Sequence, residues 1–423
     1  MKFSTRVGNE YEYCPSSNRI EHGKIRNGNP YCESEITFQQ PEKIVKLENI
    51  SIFGLEITQS CNLRCSYCCY SGEYRHQRAH GAVYLEEAQV GQVLEFIQKH
   101  KNNHQPVKLC FYGGEPLLKH ELLRHIVSES LNKFGSETEF LITTNGTLLS
   151  SGMLSWISKI SGFEINISFD GVLQDTNRKN VKGDKSYSTV YRNIAMIHNE
   201  FQDFYQHQCN FLVTIQHLRS LIEIADHWDN DAILKTKPPL NINSIAINYK
   251  KIDADNNATD AFRESLNMLY HLWDYYKSHP ESAVMYSFFH NWLNPVKKRP
   301  VVDLDTVNDM KSCLPHTTRC FIDAFGNVAV CEKMCDTYRI GDIYSGINYQ
   351  TVNEYLDRFS GIRRKRCSSC WAIRLCDTCF TCFDLNEAEL DYDCKLQKDW
   401  TLLSLIFLCE IAEDKVLKKR LFS

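Results

Sequence analysis

Between residues 51 and 250, strand-like runs alternate with amphipathic helical stretches, and this alternation restricts the fold more than any other feature of the chain. The strand-like runs cover residues 52–58, 107–112, 139–144, 164–168, 210–215 and 242–248. Between the first two, Val90, Val93, Leu94 and Ile97 fall at i, i+3, i+4 and i+7, one face of a helix. Leu123, Ile126, Val127 and Phe134 mark a second helix, and Val190, Ile194 and Ile197 another after the fourth run. Strands alternating with helices predict a parallel sheet with right-handed crossovers. Six such units fit an α/β fold of partial (β/α)6, TIM-type barrel form. Ligands in parallel α/β folds sit beyond the C-terminal ends of the strands, so the residues found there matter most.

The first strand leads into Cys61-Asn62-Leu63-Arg64-Cys65-Ser66-Tyr67-Cys68. Three cysteines at i, i+4 and i+7 on one loop can turn three thiolates toward a metal. Zinc takes four protein ligands in structural sites and three plus water in catalytic ones. An iron–sulfur cube on three thiolates leaves one iron open to a small molecule. Gly113-Gly114-Glu115-Pro116 follows the second strand, where glycines allow close backbone approach and Glu115 offers an acceptor for a ligand ammonium. Thr143-Thr144-Asn145-Gly146 follows the third and also reads as a plain Asn-Gly turn. Ser168-Phe169-Asp170-Gly171 follows the fourth, its alternation pointing Ser168 and Asp170 the same way, toward ribose hydroxyls or a carboxylate. Arg178 lies shortly after and suits bidentate pairing with a carboxylate.

Nineteen cysteines are the compositional anomaly. The N-terminus lacks the apolar stretch of a secretory signal, and residues 402–412 form an apolar run too short to span a bilayer. The expectation is a cytoplasmic protein with reduced thiols and no membrane association. A net charge of −4 gives no basic footprint for nucleic acid. Eleven cysteines crowd between Cys313 and Cys409. Cys313 and Cys331 flank Gly326, with Cys320 between them; Cys367-x2-Cys370-x5-Cys376-x2-Cys379 follows, then Cys382 and Cys394. Taken alone, the C-x2-C pairs also fit zinc ribbons.

The loop Cys61-x3-Cys65-x-Tyr67-Cys68 resembles the C-x3-C-x-aromatic-C motif of the radical S-adenosylmethionine (SAM) superfamily. Gly113-Gly114-Glu115 is similar to the motif that holds the SAM amino group. Ser168-x-Asp170-Gly171 with Asp175 and Arg178 resembles the S-x-D-G…H-D-x-x-R run of peptide-modifying members, with Gln174 in place of the histidine. The C-terminal block resembles the SPASM domain, which holds two auxiliary [4Fe–4S] clusters. The resemblance implies a [4Fe–4S] cluster on Cys61, Cys65 and Cys68, with SAM contacted by Tyr67, Gly113, Gly114, Glu115, Asn145, Ser168, Asp170 and Arg178. It implies one auxiliary cluster on Cys313, Cys320, Cys331 and either Cys379 or Cys382, and another on Cys367, Cys370, Cys376 and Cys394.

The implied activity is reductive cleavage of SAM to a 5′-deoxyadenosyl radical that modifies a ribosomally made precursor peptide, foremost by a thioether cross-link from a cysteine. Formylglycine formation of the anaerobic sulfatase-maturase kind, carbon–carbon or ether cross-linking, and epimerisation are the alternatives within the family. A non-catalytic iron–sulfur or zinc scaffold is the alternative outside it. An external flavodoxin- or ferredoxin-type donor would supply electrons. The expected organisation is a β-like segment over 1–50 without a leader-binding winged helix, a core over 51–250, a helical connector over 251–310 (a long helix over 256–277, then a stretch over 280–310 with Pro280, Pro295 and Pro300), the cysteine-rich domain over 311–396 and a terminal helix over 397–423.

Overall fold

The computed structural model describes residues 1–23, 36–39, 42–74, 77–245, 258–302, 306–308, 318–334, 337–379, 382 and 384–422. Six strands, β1 (Ile52–Thr58), β2 (Lys108–Gly113), β3 (Glu139–Thr144), β4 (Phe163–Ser168), β5 (Cys209–Ile215) and β6 (Asn241–Ser244), run parallel and lie side by side in chain order. Between them run α1 (Val90–His100), α2 (His120–Phe134), α3 (Tyr187–Glu200) and α4 (Ser220–Asn230). The fold is α/β, and the first five strands lie within one residue of their sequence-based limits. The sixth stops at Ser244, and residues 246–248 of the expected run lie outside the described residues.

The two faces of the sheet differ. Phe53, Leu109, Phe140 and Phe163 stand in register across β1 to β4 and are fully buried. The rings of Phe140 and Phe163 stack 5.6 Å apart. Val93 and Ile97 of α1, Ile126 of α2, Ile194 of α3 and Trp228 of α4 complete this core. Each such side chain contributes roughly 1.5–3 kcal/mol relative to exposure. Cys110, Tyr112, Thr143, Ser168 and Thr214, one residue out of phase, face the other way and stay partly exposed.

β7 (Arg319–Ile322) pairs parallel with β1 on the side away from β2, and β8 (Asn327–Ala329), β9 (Arg339–Asp342) and β10 (Gly346–Ile347) continue antiparallel. The sheet therefore runs unbroken across the boundary expected at residue 311. α5 (Ala258–Ser278), α6 (Ala283–Lys297), α7 (Tyr349–Cys367) and α8 (Glu387–Glu413) complete the long helices. Residues 280–310 read as a proline-rich connector, yet Met285, Phe288, Phe289, Leu293 and Val296 give α6 a buried face, with Pro295 inside it near the C-terminal end. Trp273 of α5 meets Phe289 of α6 at 5.2 Å, and Trp292 meets Phe407 of α8 at 5.6 Å. α8 starts ten residues before its expected limit because Asn386 and Glu389 form a reciprocal cap at 2.9 Å each way. The N-terminal strands Lys2–Ser4, Glu10–Cys14 and Arg19–His22 form an antiparallel sheet, and the Tyr11 hydroxyl donates to Glu413 at 2.7 Å. Among the described residues, no helix is long and apolar enough to cross a membrane.

Candidate active site

The glycines at the end of β2 hold the cysteine loop in place. The Gly114 N–H donates to the Thr58 carbonyl at 2.7 Å, and the Glu115 N–H donates to Ser60 at 2.8 Å. Gly113 has φ +130°, and a Cβ there would lie 2.3 Å from the Thr58 oxygen; one on Gly114 would lie 2.0 Å from the Ser60 oxygen. Only glycine permits this approach. Downstream, Leu63–Cys65 pairs antiparallel with Arg178–Asn180, which sets Arg178 opposite Cys65.

Arg178 and Asp170 form a buried pair. Nε and Nη2 of Arg178 donate to the two carboxylate oxygens of Asp170 at 3.0 and 3.2 Å, and Nη1 lies 4.0 Å from the Cys65 sulfur. Asp170 also accepts from the Tyr67 hydroxyl, from the Thr214 N–H at 2.9 Å and from Asn177 at 3.2 Å. Gln174, fully buried, accepts from the Asp170 N–H at 3.0 Å and donates to Ser186 at 3.1 Å. That dual use suits an amide, and it gives Gln174 a structural task with no titration.

A cavity of about 500 Å³ opens over these strand ends. Cys61, Cys65 and Cys68 line it, together with Tyr67, Gly113, Gly114, Asn145, Ser168 and Arg178. Two residues assigned to the ligand from sequence do not. Glu115 is fully buried and accepts from the Leu117 N–H at 3.0 Å, the Thr144 hydroxyl at 2.8 Å and the Asn145 N–H at 2.7 Å. It positions Asn145, whose Nδ2 donates to Asn62 at 2.8 Å and lies 3.9 Å from the Cys61 sulfur. Asp170 turns inward because β4 ends at Ser168 and Asp170 itself has φ −90°, ψ 16°, which breaks the strand alternation. Thr214, Asn243 and Ser244 also line the cavity. Their only sequence signal was polarity at the ends of the fifth and sixth strands.

The C-terminal region closes the same cavity with Glu332, Lys333 and Cys382. A second cavity of about 360 Å³ is lined by Cys367, Cys370, Cys376 and Cys394, brought together from the end of α7, the following loop and α8. Cys331 is partly buried, and this desolvation, with Glu332 and Cys379 nearby, pushes its thiol up to about 12. Cys320, on β7 in register with Phe53, packs in the hydrophobic core and lines a small cavity of about 150 Å³ together with Cys331. Cys313 lies outside the described residues.

The cysteine loop fits an iron–sulfur cluster. Burial pushes the Cys61 and Cys68 thiols up to about 12, so they need a positive partner to act as thiolates, and iron supplies one. The Leu63 N–H approaches the Cys61 sulfur at 3.4 Å, a donor of the type that tunes cluster sulfurs. Among the described residues, no three His, Cys, Asp or Glu side chains are grouped to hold a single metal ion. Three thiols lining one cavity would suit a polynuclear iron–sulfur group.

Residues 55–217 match the family model of the Radical SAM superfamily. They form a radical SAM domain. The likeness to the radical SAM superfamily is thereby borne out. The radical SAM cyclopropyl synthase TigE of Paramaledivibacter caminithermalis is 25% identical over 204 residues, 44% of this chain and 43% of that protein. The serine-type anaerobic sulfatase-maturating enzyme of Klebsiella aerogenes is 25% identical over 176 residues, 40% of each. The matches thus span less than half the length of these curated relatives. Among solved structures, anSMEcpe with bound AdoMet superposes with TM-score 0.63 at 18% identity, covering 86% of this chain and 100% of that one. Streptococcus suis SuiB bound to precursor peptide SuiA gives 0.53 at 13% identity, covering 81% and 75%. At these identities the likeness is one of fold, and it extends beyond the radical SAM domain into the C-terminal region.

Proposed function

We propose that this protein is a radical SAM enzyme that modifies a ribosomally made peptide. The observation that carries the reading is the shared cavity, whose walls hold the three-cysteine loop and strand-end polar groups on one side and Glu332, Lys333 and Cys382 on the other. Cys61, Cys65 and Cys68 would hold the cluster, and its chemistry is the one-electron cleavage of SAM that yields a hydrogen-abstracting radical. The Gly113–Gly114 backbone, Asn145, Ser168 and Arg178 would receive SAM. Glu115 and Asp170 orient Asn145 and Arg178, and so keep that wall rigid.

Two findings support a peptide as substrate. The cavity reaches the cysteine-rich region, and fold neighbours are described with bound peptides, anSMEcpe with Cp18Cys and SuiB with SuiA. The four cysteines around the second cavity would hold one auxiliary cluster. Cys331 with Cys379 or Cys382, joined by Cys313, would form part of the other. The product we assign is a thioether from a peptide cysteine, because Cys382 of the C-terminal region reaches the cavity wall, where an auxiliary cluster would hold a substrate thiolate. A flavodoxin- or ferredoxin-type protein would deliver the electrons.

Coexpression with a short cysteine-containing peptide encoded beside the gene tests the assignment. A thioether predicts loss of two hydrogens and of one alkylatable thiol. Loss of sulfur and two hydrogens with gain of one oxygen would instead mark formylglycine formation. The reconstituted protein should release 5′-deoxyadenosine from SAM under reduction, and Cys65→Ala should not. Intact SAM with the parent protein would leave only a scaffold role.

A further inference from the structure

We propose that Asp170 and Arg178 set the reduction potential of the cluster on Cys61, Cys65 and Cys68, the arginine raising it and the aspartate lowering it. The inference rests on the radical SAM reading and adds to it a specific electrostatic device. Arg178 presents a planar fork of five N–H donors. Asp170 engages Nε and Nη2, and Nη1 is left 4.0 Å from the Cys65 sulfur. The spacing is held by backbone, since Arg178 and Cys65 are paired partners in a short antiparallel ribbon.

Both charges are out of water, with Arg178 7% exposed and Asp170 fully buried, so their fields are weakly screened. Reduction adds negative charge to a cluster. A nearby cation therefore favours the reduced form and a nearby anion disfavours it. Nη1 of Arg178 lies against Cys65, so this is the sulfur through which the pair acts. The Tyr67 hydroxyl and the Thr214 N–H fix Asp170 from two further elements, which keeps the charges at constant separation.

The test is a redox titration of the reconstituted holoenzyme, followed by the electron paramagnetic resonance signal that changes when SAM is added. That criterion isolates the core cluster from any auxiliary one. Arg178→Gln should move the midpoint to more negative potential, Asp170→Asn to more positive potential, and Arg178→Lys, which keeps the charge, should stay close to the parent. A merely structural role for the pair predicts no such opposition of sign. Shifts of the same sign in the Gln and Asn variants, or no shift, overturn the proposal. If Arg178→Gln fails to hold a cluster, Asp170→Asn decides, and absence of a positive shift there overturns it. A parent enzyme with no SAM-sensitive signal would refute the functional reading itself. A sensitive signal that titrates identically in all variants would refute the charge pair alone.

Discussion

The carboxylate of Glu56, on β1, accepts a hydrogen bond from the backbone N–H of Ala324 at 3.1 Å. This ties the first strand of the sheet to the turn between β7 and β8. Arg78, on the segment after the cysteine loop, pairs with the same fully buried carboxylate, and its guanidinium lies 3.9 Å from the centroid of the Tyr70 ring. One carboxylate therefore joins the strand, the segment after the cysteine loop and the C-terminal region. Replacing Arg78 by alanine leaves Glu56 buried without its cation, a change that costs about 3–5 kcal/mol. Denaturant unfolding of Arg78→Ala should show a loss of that size, and a loss below about 1 kcal/mol would mean that the buried Glu56 carboxyl does not depend on Arg78 as its partner.

Truncation after residue 310 should not yield a stable radical SAM core. It removes β7 and so exposes the edge of β1, along with the Ala324 donor to Glu56. Aggregation or proteolytic sensitivity of the truncated chain is the expected outcome, and a soluble, cooperatively unfolding fragment would contradict it.

Gly114→Ala should disturb the cysteine loop specifically, because the new Cβ falls on the Ser60 carbonyl. Reduced iron content after reconstitution, with a stability loss of about 1–3 kcal/mol, is expected. Gly152→Ala is the control. That position meets open space, and the helical substitution there should be neutral or stabilising by up to about 1 kcal/mol.

Glu115 confers a pH dependence of defined sign. Burial raises its pKa from 4.5 to about 7 despite donors from Asn145, Leu117 and Thr144. The folded state therefore holds a proton that the unfolded state releases near 4.5. This contribution to stability is fully present below that value and is lost as pH rises through about 7. The parent should lose stability across that window relative to Glu115→Gln, which carries no titrating group there. Parallel pH profiles for the two proteins would show that Glu115 does not titrate in this range.

The cysteines of the C-terminal region should separate by iron content. Cys394→Ser removes a thiol from the four-cysteine cavity and should lower iron by one cluster. Cys320→Ala should leave iron unchanged while costing about 1 kcal/mol of stability, since it trims a buried side chain packed in the core. Loss of iron in Cys320→Ala would restore that residue to a cluster.

Much of the framework was legible without coordinates. The five strands placed within a residue, and the helices carrying Val93, Ile126 and Ile194, follow from local periodicity, which responds to nearest neighbours along the chain. The loop Cys61–Cys68 was legible for the same reason, since its spacing is itself the signal. α6 was missed because Pro295 and its neighbouring prolines outweighed an apolar face that becomes decisive only when Trp273 and Phe407 are there to bury it.

Sequence alone determined the class of fold, the order of its strands and the three thiols at the first strand end. The tertiary structure decided which of the conspicuous residues face the cavity. Glu115 and Asp170 turn inward to hold Asn145 and Arg178, because the chain leaves its extended conformation just before each of them and three or more donors await the carboxylate there. It also decided that residues 319–322 complete the sheet beside β1, which no local pattern encodes. Pairing of strands far apart in sequence depends on which edges remain open once the rest has packed. That is a property of the assembled chain.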